Sequence, residues 1–168
     1  CFLVIVNNES SNAVLRIQKT RSLVVKKDTM YKKVLLTQFG IPNLNTLEYK
    51  SNVHLAPGYL VGYVRDKHSD TEFVITPRIY TDLLPESTFI EYAVAQQPDL
   101  LVFSLYLWNI EKSLRVVKIL KEKLPDVQII FGGPEVNPDN SYLLNSDQFE
   151  QGIVGEGEVA FGYFMAGK

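Results

Sequence analysis

The chain has 168 residues, enough for one domain with a sizeable core, and its 46% hydrophobic and 21% charged content is ordinary for a globular protein. A formal charge of −2 leaves no general nucleic-acid footprint, and no apolar run approaches the roughly 20 residues of a membrane-spanning helix. The one cysteine, Cys1, excludes an internal disulfide and an intrachain cysteine cluster, which points to a reducing, cytoplasmic setting.

Residues 1–29 are the least readable. Leu3–Val6 and Leu23–Val25 each have the composition of a strand, with the polar stretch Asn7–Asn12 after the first. Met30 looks like a natural start, so 1–29, a small hairpin, a linker or an upstream segment, is taken as an N-terminal extension of unclear role and 30–168 as an α/β domain. The chain starts at Cys1 and stops at Gly167-Lys168 with no obvious tail, the expectation being a fragment of a longer protein.

Lys33–Thr37 is the first strand of the domain. The loop Gln38-Phe-Gly-Ile-Pro-Asn43 is rich in breakers. The long polar connection to His54 exceeds the roughly 2–6 residues usual in α/β units. Pro57–His68 reads as a helix, with Pro57 suited to a first turn. Gly58 and Gly62, four apart, lie on one face and let another backbone or a large ligand approach, or simply pack closely against the sheet. Thr71–Thr76 is a second strand, Pro77–Pro85 a loop or short 3₁₀ turn, and Pro85–Gln97 a second helix.

Leu100–Leu105 and Val127–Phe131 are short apolar runs, as expected of strands buried on both faces. Between them Ile110–Leu124 has apolar residues at helical spacing, with Asn109 as its N-cap and Pro125 beyond its end. Asn140–Leu144 reads as a short helix or turn, Ile153-Val154 as a small last strand, and Glu158–Ala166 as a last helix. The order β-α-β-α-β-α-β-(turn)-β-α predicts an open, doubly wound parallel sheet, Rossmann-like or flavodoxin-like, in three α/β/α layers. Ligands of such sheets bind beyond the carboxyl ends of the strands. Here those ends carry Ser104-Leu-Tyr-Leu-Trp-Asn109 and Gly132-Gly-Pro-Glu135.

Adjacent glycines after a buried strand permit positive φ and close approach of a flat ligand, or merely a tight turn. Ser104 can bond a ligand edge or cap its loop. Tyr106 and Trp108 can wall a large ring or pack as core. In Gly155-Glu-Gly-Glu158 the carboxylates suit a metal or an acid–base pair, but a helix N-terminus favours them for the macrodipole alone. His54 and His68 fall in no metal-ligand spacing. The phosphate-binding Gly-rich loops and the Gly-x-Ser-x-Gly elbow are absent.

Taken together and in this order, Ser104–Asn109, Gly132-Gly-Pro-Glu-Val136, and Gly155-Glu-Gly-Glu158 with Phe161 resemble the N-terminal cobalamin-binding domain of cobalamin-dependent radical S-adenosylmethionine proteins. The resemblance covers about Tyr31 to Lys168. It implies a cofactor site from Gln38, Phe39 and Gly40; from Ser104, Tyr106, Trp108 and Asn109; from Gly132, Gly133, Pro134 and Glu135; and from Gly155 and Glu156. It implies no catalytic residue and no metal ligand in this chain.

The wider fold carries Asp-x-His-x-x-Gly after its first strand. Gln38–Asn43 has no histidine, so the resemblance implies cobalamin with its own base displaced and no histidine on cobalt. The nucleotide tail would pass Ser104 and the Gly-Gly turn. The family's catalytic half is a barrel whose Cys-x-x-x-Cys-x-x-Cys site holds a four-iron, four-sulfur cluster and S-adenosylmethionine. That motif is missing here, so this chain would bind neither; the barrel would be its partner, and methyl transfer or related radical chemistry the function of the whole. The alternative is a ligand-free flavodoxin-like interaction or regulatory domain, its crevice filled by Tyr106 and Trp108.

Overall fold

The structure is a computed structural model that describes residues 2–7, 13–18, 31–41 and 54–167. Lys33–Thr37 forms β3, fully apolar in the middle and buried from Val34 onward. Leu55–Val64 is α1, continued by a 3₁₀ turn at Arg65–Lys67, and Glu72–Ile75 is β4. Glu86–Gln96 is α2, Leu100–Ser104 is β5, and Ile110–Lys123 is α3. Gln128–Gly132 is β6, Ser141–Leu144 is α4, Gln151–Val154 is β7, and Gly157–Met165 is α5.

Every residue of β5 is buried, which is why its sequence, Leu-Leu-Val-Phe-Ser, reads as a continuous apolar run. The strands β4, β3, β5, β6 and β7 lie side by side in that order and run parallel. Winding goes from β3 outward to β4, then back across β3 to β5 and onward. The direction therefore reverses between β3 and β5, and it is at the carboxyl ends there that sheets of this kind bind ligands.

Side chains alternate across the sheet. Leu35, Leu101, Phe103, Ile129 and Phe131 pack against α2 and α3 through Phe89, Leu114, Val117 and Leu120. Val34, Leu36, Val102 and Ile130 pack against α1 and α5 through Val61, Val64, Phe161 and Phe164. The sheet thus has a helical layer on each side, as the sequence predicts.

Two features differ from the sequence reading. Phe2–Asn7 (β1) and Ala13–Gln18 (β2) pair antiparallel as a small hairpin, one of the forms the sequence allows, but β2 also pairs antiparallel with β7, extending the sheet to seven strands. The second strand of the hairpin is Ala13–Gln18; Leu23–Val25 lies outside the described residues. Arg16 interrupts the apolar pattern there, and a marginal strand is fixed by backbone pairing more than by an apolar run. The second feature concerns Gly58 and Gly62, which do not pack against the sheet. They are exposed, and α1 buries Pro57, Val61 and Val64 instead. The 77–85 connection contains a π-helical turn at Ile79–Leu83.

Candidate functional site

The strand ends bring three of the sequence-predicted residues into one row. Leu36 pairs with Val102 and Thr37 with Phe103, and Ser104 pairs with Gly132. The alternation that puts Leu36, Val102 and Ile130 toward α1 and α5 also assigns Ser104 and Gly132 to that face and, continued one residue past β3, Gln38. Gln38 is 8% exposed, and its Oε1 is buried without a hydrogen-bond partner among the described residues. A buried acceptor left unpaired costs about 1–3 kcal/mol, so it calls for a donor from elsewhere. At Gly132 a Cβ would meet nothing within 4 Å among the described residues, so this strand end presents open space beside bare backbone.

Gly133 is a different case. Its φ is +97°, and a Cβ there would lie 2.5 Å from the Leu105 carbonyl oxygen. The turn is held by Leu105 N–H donating to the Gly132 carbonyl at 2.7 Å and by Val136 N–H donating to the Gly133 carbonyl at 3.0 Å. Gly133 is therefore required by the backbone, while Gly132 is not.

Asn109 stands at the N-cap of α3 but makes no side-chain cap bond. It is 1% exposed and joins three segments instead. Its Oδ1 accepts from Tyr106 N–H at 2.8 Å, and its Nδ2 donates to the carbonyls of Phe39 at 3.0 Å and Ser104 at 3.1 Å. The capping expectation gives way because these three bonds tie the β3 and β5 loops together across the switch point. Trp108 Nε1 also reaches the Phe39 carbonyl, at 3.4 Å. The Phe39 ring lies in the core, edge-on to Phe89 at 4.9 Å, with Lys112 Nζ 4.4 Å from its centroid. Burial pulls Lys112 below the usual lysine range, against the opposing charges of Glu86 and Asp82.

Tyr106 and Trp108 stack on each other, centroids 4.6 Å apart and 14° from parallel, and Trp108 is exposed at the crevice. A hollow of about 310 Å³ lies beside Trp108, lined also by Leu107, Glu135, Asn140 and Tyr142 among others; Gln38, Ser104 and Gly132 do not line it. Glu135 accepts from Asn140 Nδ2 at 3.0 Å, and Pro134 is exposed beside it. Gly40 is half-buried in the β3 loop. Gly155, with φ of +81°, and Glu156 are exposed just before α5, and Glu158 lies in its first turn. There the carboxylates meet a helix N-terminus, which favours negative charge.

One network escaped the sequence reading because its members are far apart in the chain. His54 is 8% exposed, and its Nε2 lies 3.1 Å from Thr81 Oγ1, which in turn lies 3.0 Å from Asp82 Oδ1. Asp82 pairs with Arg78 at 3.1 Å. Thr37 and Thr76 hydroxyls meet nearby at 2.7 Å, joining the ends of β3 and β4. Burial holds His54 below its ordinary value of 6.5; the Asp82 charge opposes this and Arg78 reinforces it.

As pH falls below about 6.5 the unfolded chain takes up a proton that folded His54 refuses, so stability declines until the lowered folded value is reached. We expect urea midpoints to fall with acidification in that window and the slope to flatten in His54→Gln. An unchanged slope would show that the acid sensitivity arises elsewhere.

Comparison with known proteins bears on this geometry. Residues 59–164 match the family described as "B12 binding domain". The chain is 35% identical over 71 residues, 42% of its length, to the cobalamin-dependent radical SAM methyltransferase TokK of Streptomyces tokunonensis. It is also 35% identical over 66 residues, 38% of its length, to a 2-(S-pantetheinyl)-carbapenam-3-carboxylate methyltransferase of Streptantibioticus cattleyicolor. Each match covers 10% of the relative's length. An apo structure of the cobalamin-dependent S-adenosylmethionine radical enzyme OxsB aligns with a TM-score of 0.47 and 16% identity, covering 67% of this chain and 16% of that one. The family match spans well over half of the chain and contains β4 to β7 with their loops: this chain belongs to the B12-binding domain family.

Proposed function

We propose that the chain is the cobalamin-binding module of a longer radical S-adenosylmethionine enzyme, residues 30–168 forming the cofactor domain and the β1–β2 hairpin an added edge. The observation that carries the site assignment is the row Gln38, Ser104 and Gly132, which combines an unpaired buried acceptor with open space at a glycine. Cobalamin is rimmed with primary carboxamides and carries a nucleotide tail. Carboxamide N–H groups are donors of the kind Gln38 Oε1 lacks, and bare backbone at Gly132 lets a tail come close.

In this reading Ser104, Gly132 and Gly133 border the tail. The Gln38–Gly40 loop, the Tyr106–Asn109 loop and Pro134-Glu135 border the corrin, and Gly155-Glu156 closes the near end of α5. The described part of the β3 loop offers cobalt no histidine, and this reading takes from the family resemblance that cobalamin is held with its own base displaced. When bound, the cofactor supplies a cobalt centre able to carry a methyl group. The chain's own residues orient it: Asn109 fixes the two loops, and Tyr106 and Trp108 present an aromatic wall. The 310 Å³ hollow is at the small end for a ligand pocket, so much of so large a ring overhangs it. That suits a cofactor shared with a radical barrel, which would hold the iron–sulfur cluster and S-adenosylmethionine.

Titration with hydroxocobalamin, read by absorption and gel filtration, tests this. Co-elution with a base-displaced corrin spectrum is expected, and at least tenfold weaker binding by folded Ser104→Leu. The Tyr106–Trp108 stack favours a second reading, a ligand-free interaction domain whose crevice these rings fill. A folded chain that never retains cobalamin, even at its native length, selects that reading.

A further inference from the structure

The two helical layers differ in chemistry. On α3, Glu111, Arg115, Lys118, Glu122 and Lys123 are exposed, as on an ordinary solvated face. The ten residues of α1 contain no charge, and the nine of α5 contain only Glu158. A helix apolar on every side is normally buried on every side. Yet Leu55 is 61% exposed, Tyr59 65%, Tyr63 39% and, on α5, Tyr163 42%. Helices α1 and α5 pack together, Gly162 lying against the Tyr63 ring, so these side chains belong to one face. Gly58 and Gly62 leave depressions between the tyrosines; a Cβ at either would meet nothing within 4 Å among the described residues.

We propose that this outer face of α1 and α5 is an interdomain docking surface, covered by an apolar face of another domain of the same, longer polypeptide. The proposal rests on the reading of the chain as one module of a larger enzyme. Matches that cover only 10% of each relative's length make most of such a protein available as the occupant. The composition fits it as well, because permanent interfaces are more apolar than transient ones and depleted in charge at their centre. This surface is separate from the carboxyl edge where the cofactor is placed: it would anchor the module while the edge stays open to cofactor and substrate.

Hydroxyl-radical footprinting tests it, on the protein purified at its native length and on the 168-residue chain, both without cofactor. Labelling of Tyr59 and Tyr63 should fall at least fivefold in the native-length protein, while Ile119 on the opposite layer changes less than twofold. Tyr59→Glu should leave the unfolding midpoint of the 168-residue chain nearly unchanged and restore labelling of Tyr63 in the native-length protein. Equal labelling in both forms overturns the proposal. So does protection already present in the 168-residue chain, which assigns the face to a second copy if it grows with concentration and to the chain's own residues if it does not. A parallel hydroxocobalamin titration separates the two readings: protected tyrosines without cobalamin binding sink the cofactor reading and leave the docking surface standing, and binding with freely labelled tyrosines does the reverse.

Discussion

Gly133→Val should cost the fold about 3 kcal/mol or more, seen as a large drop in the urea midpoint or as loss of the cooperative transition. Two independent terms add. A β-branched residue at φ of +97° is strained by about 1–3 kcal/mol. Its Cβ would also sit 2.5 Å from the Leu105 carbonyl oxygen and 2.9 Å from the Leu105 nitrogen, both backbone atoms of a strand end that cannot step aside. Overpacking of that kind costs a further 1–3 kcal/mol or so. Since Leu105 N–H donates to Gly132, the same movement would break the bond that closes the turn. Against a typical total of about 5–15 kcal/mol, this is a large fraction of the stability. A midpoint equal to the parent's would mean that the turn is softer than its contacts imply.

The same pair of glycines shows how far the sequence can be read. Buried parallel strands leave a local signature, an apolar run with breakers at its ends, so β3, β5 and β6 and the loops that follow them were legible from residues within a few positions of one another. The Gly-Gly turn was legible as special, yet nothing local says that one glycine serves the backbone and the other leaves a space. That division depends on Leu105, on the neighbouring strand. Asn109 reads as a helix cap because capping is local chemistry. Its actual partners include the Phe39 carbonyl, 70 positions away. His54 looked solitary for the same reason, its partner Thr81 being 27 residues on. Gly58 and Gly62 fit either the inner face or an open one from sequence alone, because α1 is apolar on all sides. The hairpin strand Ala13–Gln18 pairs with β7 from the other end of the chain.

Gly132→Val tests the function that Gly133 cannot. It lies at the end of β6, its φ is not positive, and no described residue lies within 4 Å of where its Cβ would be. Valine suits a strand, so stability should stay within about 1 kcal/mol of the parent. Cobalamin affinity should nonetheless fall by about 100-fold, roughly 2.7 kcal/mol, because the added methyl groups occupy the space assigned to the nucleotide tail beside Ser104. Gly132→Ala should fall between the parent and valine, since it fills less of the same space. A graded loss of binding with unchanged folding is the signature of a ligand cradle. Full binding by Gly132→Val would place the tail elsewhere and dissolve the Gln38–Ser104–Gly132 row as a site. The conclusion would not depend on whether α1 and α5 are covered, because the substitution lies at the carboxyl edge of the sheet and not on the outer face of either helix.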